Sequence, residues 1–286
     1  MFKILVTGGN GQLAQCFKKL MPFYPQFQWV FKTSEELDIT NFDEVEEVLL
    51  EERPQYIINA AAYTAVDLAE QEPEKAFAVN RDGVAHLAEV SQTMGAILIH
   101  ISTDYVFDGN TNISYSEDNF TRSTGVYGAS KRAGEEAALE LNPQTIVIRT
   151  SWLYSEFKKN FVKTMLHLFS TKEELNIVSD QYGQPTNAND LAEAVMTIIT
   201  TPYKTFGIYH FSNYPETTWY HFAEKIKTLS GTEIKLNPIP TSDYPTPAQR
   251  PMRSTLCLNK IEEHYGIEPK FWEHSLEQCI KTLNDE

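Results

Sequence analysis

The chain has 286 residues, 42% hydrophobic and 22% charged, the make-up of an ordinary globular protein with room for a substantial core. Its formal charge of -15, with no Lys/Arg-rich run to offset it, argues against a nucleic-acid surface, and an anionic ligand would need a local basic pocket, for which Arg250 and Arg253 are candidates. Histidines without ligand-pair spacing predict no metal site, cysteines without Cys-x-x-Cys spacing predict reduced thiols in a cytoplasmic protein, and the absence of any long apolar run predicts neither a signal peptide nor a membrane partner.

In chain order, Lys3–Thr7 reads as a strand that ends in Gly8-Gly9-Asn10-Gly11, with a helical pattern following to about Met21. Gln28–Phe31 reads as a second strand, Asn41–Glu51 as a helix, and Tyr56–Asn59 as a third strand stopping at Ala60-Ala61-Ala62. A helical stretch covers roughly Glu74–Met94, and Ile97–Ile101 is a fourth strand, continuous in apolar residues as a buried parallel strand is. Lys131–Leu141 is helical and Thr145–Arg149 is a fifth strand. This alternation predicts an α/β fold, a doubly wound parallel sheet of the Rossmann type. Beyond Thr150 the pattern loosens: helices at Asn160–Ser170, Asn189–Thr200, Trp219–Ser230 and Ser275–Asn284, a strand at Gly207–Ser212, and a long Pro-rich loop at Pro238–Pro251. The expected division is a dinucleotide-binding domain of residues 1–150 with roughly 187–212, and a smaller α/β substrate lobe of 151–186 and 213–286.

Chemistry gathers at the carboxyl ends of the strands. Gly9-x-Gly11-x-x-Ala14, equally Gly8-x-x-Gly11-x-x-Ala14, is flanked by strand and helix, so its glycines permit a tight turn with a pyrophosphate at the helix N-terminus. The acid that would bind a ribose 2′-hydroxyl is missing after the second strand, where Lys32-Thr33 stands; this favours NADPH over NADH, unless Glu35 or Asp38 folds back. Ala60, Ala61 and Ala62 leave ligand space or cap a helix. The fourth strand leads into Ser102-Thr103-Asp104-Tyr105, two hydroxyls at the same rim, with Tyr105 either lining the pocket or in the core. His100 and His210, in apolar runs, read as core histidines.

Tyr-x-x-x-Lys occurs at Tyr127–Lys131 and again at Tyr154–Lys158. In a helix the first pair shares a face, and an ammonium so close lowers a phenol from its ordinary pKa of about 10, tuning it to protonate a carbonyl as hydride arrives. Only Tyr127–Lys131 follows the fourth strand and opens a helix; the second copy reads as chance.

These segments resemble the extended short-chain dehydrogenase/reductase family, and within it the nucleotide-sugar reductases. The resemblance runs nearly end to end: Gly8-x-x-Gly11-Gln12-Leu13, Asn59 to Asp67 with Glu70, Ser102 to Gly109, Tyr127 to Lys131, Arg149-Thr-Ser-Trp152, Asn160-Phe-Val162, Asp180 to Thr186, Gly207 to His210 and Ala248 to Pro251. It implies reduction of the 4-keto group of a dTDP-linked 4-keto-6-deoxy-L-sugar to dTDP-L-rhamnose. By carry-over Thr103, Tyr127 and Lys131 would be catalytic. Gly8, Gly11, Gln12, Leu13, Lys32, Asp38, Ile39, Ala60, Ala61, Ala62, Asn80, Tyr127 and Lys131 would hold NADPH, with Asn80 near the proton relay. Val66, Thr103, Tyr105, Tyr127 and Trp152 would meet the sugar, and Arg250 the diphosphate. Departures are Ala14 for the usual glycine, Ser123-Thr124-Gly125 for Pro-x-Asn, and Gln15 at a position some members use for a metal-linked dimer; the chain would be a monomer or a homodimer. A nucleotide-sugar epimerase of the same family and a non-catalytic cofactor-binding regulatory subunit remain the alternatives.

Overall fold

The structure is a computed structural model that describes residues 1–285. Its elements run β1 (Phe2–Thr7), α1 (Gln12–Leu20), β2 (Phe27–Lys32), α2 (Phe42–Glu52), β3 (Tyr56–Asn59), α3 (Val66–Ala69), α4 (Pro73–Phe77), α5 (Gly83–Met94), β4 (Ile97–Thr103), α6 (Val126–Leu141) and β5 (Thr145–Thr150). There follow β6 (Leu153–Tyr154), α7 (Phe161–Thr171), β7 (Glu174–Val178), β8 (Tyr182–Gly183), β9 (Thr186–Asn187), α8 (Ala188–Thr200), β10 (Gly207–His210), β11 (Thr217–Thr218), α9 (Trp219–Ser230), β12 (Lys235–Ile239), α10 (Asn259–Tyr265) and α11 (Trp272–Asp285). Six strands form one parallel sheet in the order β10-β5-β4-β3-β1-β2.

Alternation along fully buried strands feeds both faces of this sheet. Ile4, Val6, Ile58, Ile99, Ile146 and Ile148 face a core closed by α1, α8 and α10. Leu5, Ile57 and Leu98 face the opposite core, closed by α2, α5 and α6. The α/β doubly wound fold expected from the sequence is what the chain adopts. A further apolar core collects α7, α9 and α11 around Phe222, Leu276 and the buried Tyr154. Among the described residues no helix is long and apolar enough to cross a membrane.

Two expectations change. The helix read as Glu74–Met94 is broken by a π-helical turn at Ala78–Asp82 that presents Asn80 inward. The loop read as Pro238–Pro251 begins inside a strand: Pro238 belongs to β12, which pairs in parallel with β7. Neither β7 nor β12 carries a continuous apolar run, since polar residues interrupt both and each is paired only to the other.

Candidate active site

A cleft of about 1000 Å³ lies along the carboxyl ends of β1, β3, β4 and β5, where ligands bind in sheets of this topology. Its floor is backbone. Gly8 sits at φ 65°, and a Cβ there would lie 2.9 Å from the Ala61 nitrogen, so the turn demands glycine. The Gly11 N–H closes the turn on the Gly8 carbonyl at 2.7 Å. Gly11 is the N-cap of α1 and brings no side-chain cap, which leaves the first N–H groups of the helix aimed into the cleft, a site that favours an anion. Gln12 bridges to the second half of the molecule: its Nε2 donates to the Leu153 carbonyl at 3.3 Å and its Oε1 accepts from Asn160 at 2.9 Å.

The reacting groups come from β4 and α6. Thr103 ends β4 and is buried. Helix α6 starts one residue before Tyr127, and its first N–H, on Val126, is capped from a distance by Glu70 Oε1 at 2.8 Å. Gly128 lets this helix press on the Tyr105 carbonyl, where any Cβ would collide. Tyr127 thereby hydrogen-bonds Thr103, and its ring meets that of Tyr105 edge-on at 5.6 Å. One turn later, Lys131 Nζ donates to the Ile101 carbonyl at 2.6 Å and lies 3.3 Å from His100 Nε2.

Here the electrostatic expectation is corrected. Burial pushes the Tyr127 phenol above its ordinary pKa, with Asp104 and Tyr105 adding to the rise and only Thr103 opposing it. Lys131 is spent on the β4 backbone and the imidazole, and burial lowers it to about 8, with Glu135 acting the other way. Desolvation therefore sets the phenol, and the ammonium–phenol attraction that the motif suggests is not among the influences on it. Tyr127 begins protonated, which is the form an acid in a reduction needs.

Beneath the cleft runs a buried polar line. Thr7 donates to Asn59 Oδ1 at 2.7 Å, Asn59 Nδ2 meets His100 Nδ1 at 3.1 Å, and His100 leads to Lys131. Burial and the neighbouring Lys131 hold His100 well below its ordinary pKa, hence neutral. Nearby, Glu135 takes the guanidinium fork of Arg149 and the Ser102 hydroxyl. His100 and His210 are both fully buried, the former within this line and the latter beside Arg149.

At the sugar end, Val66, Tyr105, Trp152 and Arg250 all line the cleft. Arg250 is already engaged: it donates to Asp67 Oδ2 at 2.7 Å and to the Tyr105 hydroxyl at 3.0 Å. Trp152 has a left-handed backbone (φ 46°), and its indole stacks on Trp219 with centroids 3.5 Å apart. Gly183 gives it space, since a Cβ there would lie 2.6 Å from the ring. Trp219, Phe161, Lys158 and Lys159 line the cleft without having been singled out as site residues; Asn160-Phe-Val162 stood among the matched segments, and for Trp219 no sequence signal exists. The second Tyr-x-x-x-Lys comes apart, with Tyr154 fully buried in the core of α7, α9 and α11 and Lys158 exposed in the cleft lining.

Two proposed cofactor contacts are not brought in. Lys32 Nζ pairs with Glu52 at 3.2 Å, the carboxylate that also takes Lys3, and the cleft wall is built instead from Thr33, Ser34 and Glu35. Asn80 spends its amide on the Tyr63 backbone and on Ser130 Oγ, because the π turn points it into the α5–α6 packing. The remaining cofactor candidates, Gly8, Gly11, Gln12, Leu13, Asp38, Ile39, Ala60, Ala61, Ala62, Tyr127 and Lys131, all line the cleft, though Asp38 also accepts from the Thr40 hydroxyl and N–H.

Residues 2–285 match the family model described as the RmlD substrate binding domain. The chain is 41% identical to the dTDP-4-dehydrorhamnose reductase of Aggregatibacter actinomycetemcomitans, over 96% of this chain and 97% of that one. Its structure superimposes on a dTDP-4-dehydrorhamnose reductase from Clostridium acetobutylicum with a TM-score of 0.96 at 37% identity, covering 99% of this chain and all of that one. The Bacillus anthracis dTDP-4-dehydrorhamnose reductase in complex with NADP is similar at a TM-score of 0.94 and 38% identity, over 99% of this chain and 100% of that chain.

Proposed function

The chain belongs to the RmlD substrate-binding-domain family, and from that premise we propose that it reduces dTDP-4-dehydrorhamnose to dTDP-L-rhamnose with NADPH. The observation that carries this reading is the convergence of Thr103, Tyr127 and Lys131 from β4 and α6 on one cleft, whose other end is the glycine turn of β1.

The residues fit a dinucleotide. The Gly8 turn and the uncapped N-terminus of α1 suit a pyrophosphate. The hydroxyls of Thr33 and Ser34 can take a 2′-phosphate, with Glu35 beside them and Asp38 Oδ1 committed to Thr40, and the choice of NADPH follows the relative seen with NADP. The cofactor supplies a hydride when bound. Tyr127 gives its phenolic proton to the oxygen at C4 as the carbon becomes an alcohol, and Thr103 orients the phenol through its hydrogen bond to it. Lys131, anchored on Ile101, lines the cleft beside Tyr127 and would meet the cofactor there. We assign the cofactor to residues 1–150 with 187–212, and the sugar nucleotide to 151–186 with 213–286, the part that carries its own core.

Purified protein is expected to consume NADPH in proportion to dTDP-4-dehydrorhamnose, and Tyr127→Phe to lose about 10² to 10⁴-fold in kcat while still binding NADPH. Stoichiometric NADPH loss separates this activity from an epimerase, which returns its cofactor. Binding without turnover on any dTDP- or UDP-linked 4-keto sugar would point to a regulatory subunit, and full activity of Tyr127→Phe would remove the tyrosine from the reaction.

A further inference from the structure

One buried carboxyl beside the reacting groups has no task in this scheme. Asp104 follows Thr103 directly and is 1% exposed. Its Oδ1 accepts the Thr103 hydroxyl at 3.0 Å, while its Oδ2 has no hydrogen-bond partner. Ser254 and the N–H groups of Asp104 and Tyr105 approach the carboxyl, but the cations around it are engaged elsewhere. Arg250 bonds Asp67 and Tyr105, and Lys131 bonds Ile101. The other titratable neighbours are the phenols of Tyr105, in its own turn, and Tyr127, on α6. Glu135 is the contrast: equally buried, it receives the whole Arg149 fork.

A carboxylate withdrawn from water without a cation is costly even with neutral donors, and such a group keeps its proton to higher pH than an exposed one. With the carboxyl protonated the 3.0 Å hydrogen bond to Thr103 reverses, and Thr103 Oγ1 becomes its acceptor. Thr103 Oγ1 already accepts the Tyr105 N–H at 3.2 Å, so a proton from Asp104 would fill its second lone pair. The Thr103 hydrogen then has one direction left, toward Tyr127, with which it hydrogen-bonds.

We propose that Asp104 is a proton reservoir behind Tyr127, acting through Thr103. As the Tyr127 O–H bond breaks and its proton bonds to the C4 oxygen, the phenolate takes the Thr103 hydroxyl proton, and the Thr103 oxygen takes the proton of the Asp104 carboxyl. Tyr127 and Thr103 end neutral, Asp104 ends as a carboxylate, and solvent restores its proton between turnovers. No electrons move along this chain. Burial raises Asp104 to about 6, still far below a phenol, so the transfer runs downhill. The reservoir is filled below that pH and empties as pH rises through it.

The proposal rests on the reductase reading, and its first test does not need the substrate. Difference infrared spectroscopy of the wild-type protein across about two units either side of pH 6 is expected to show one protonated-carboxyl C=O band that titrates and is missing in Asp104→Asn. The second test is kinetic. In wild type, kcat is expected to fall as pH rises through the same midpoint. In Asp104→Asn, kcat should drop by up to about 10²-fold and lose that pH step, with both KM values within about twofold. No titrating band would overturn the reservoir even in an enzyme that reduces the keto sugar. A pH profile of Asp104→Asn that is parallel to wild type, with a raised sugar KM, would make Asp104 a structural or sugar-contacting residue instead. Absence of turnover in wild type would fail the reductase reading and leave the infrared result to stand alone.

Discussion

The two ends of the cleft are made of different material. At the cofactor end the surface is main chain: the Gly8 turn, the free N–H groups of α1 and the small residues Ala60 and Ala61, with Gly8 packed against the Ala60–Ala61 backbone. At the sugar end it is side chain held by side chain: Arg250 by Asp67 and Tyr105, and the Trp152 indole by Trp219. Main chain fixed by a sheet has no alternative position, so one misplaced atom there is felt in full. A side chain held by another can exchange partners, which suits a surface that must release one contact to make another.

The first way to break this contrast is Gly8→Ala. The left-handed φ of 65° and the 2.9 Å approach to Ala61 leave no relaxed position for a methyl group. Left-handed backbone alone costs a non-glycine residue about 1 to 2 kcal/mol, and the overlap adds to it. NADPH affinity, read by fluorescence titration, should weaken by about 10² or more, with kcat at saturation much less affected. Unchanged affinity would mean that the turn does not carry the cofactor.

A smaller effect, of opposite sign for two partners, is expected at the sugar end. Arg250→Ala removes a cation and should raise the sugar-nucleotide KM by about 10 to 100-fold, the scale of charge-assisted hydrogen bonds, leaving NADPH binding alone. Asp67→Asn loosens the competing ion pair and should leave that KM equal or lower. If both substitutions raise it equally, Asp67 and Arg250 act as one rigid support and partner exchange is wrong. Trp219→Leu should cost less, about 0.5 to 1.5 kcal/mol of ring stacking, read as a KM increase of at most about tenfold.

The same contrast explains what could be read before the structure was known. Strands β1, β3, β4 and β5 are continuous apolar runs because both faces are buried, and the glycine turn announces itself because few residues tolerate its backbone. Tyr127 is identifiable from its place after β4. The behaviour of its pKa is not, because desolvation depends on everything packed around it, and here burial, not Lys131, sets it. Asn80 misleads for a related reason: a π turn, invisible in the helical periodicity of 74–94, redirects one side chain. Strands β7 and β12 and the Trp152–Trp219 stack depend on partners distant in sequence, and no local pattern marks them.

Lys32 stands furthest from its expected place, and it gives the smallest predicted effect. As a lone cation after β2 it promises a 2′-phosphate contact. In the structure Glu52 stands between Lys3 and Lys32, accepting from one at 3.0 Å and pairing with the other at 3.2 Å, so a single carboxylate answers two ammonium groups. Partly exposed pairs of this kind are worth about 0 to 1 kcal/mol, little enough for a phosphate dianion to draw Lys32 away. Two outcomes are therefore distinct. If Thr33, Ser34 and the backbone hold the phosphate, Lys32→Ala changes the NADPH to NADH ratio of kcat/KM by no more than about twofold, whatever the salt. If Lys32 leaves Glu52, the ratio falls about tenfold at low ionic strength and recovers as salt screens the interaction. Geometry favours the first outcome, since Lys32 is paired with Glu52 and does not line the cleft, whose wall there includes Thr33 and Ser34. The second would mean that the cofactor end, too, contains one side chain able to change partners, and the division between the two ends would then lie beyond Thr33 rather than at Thr103.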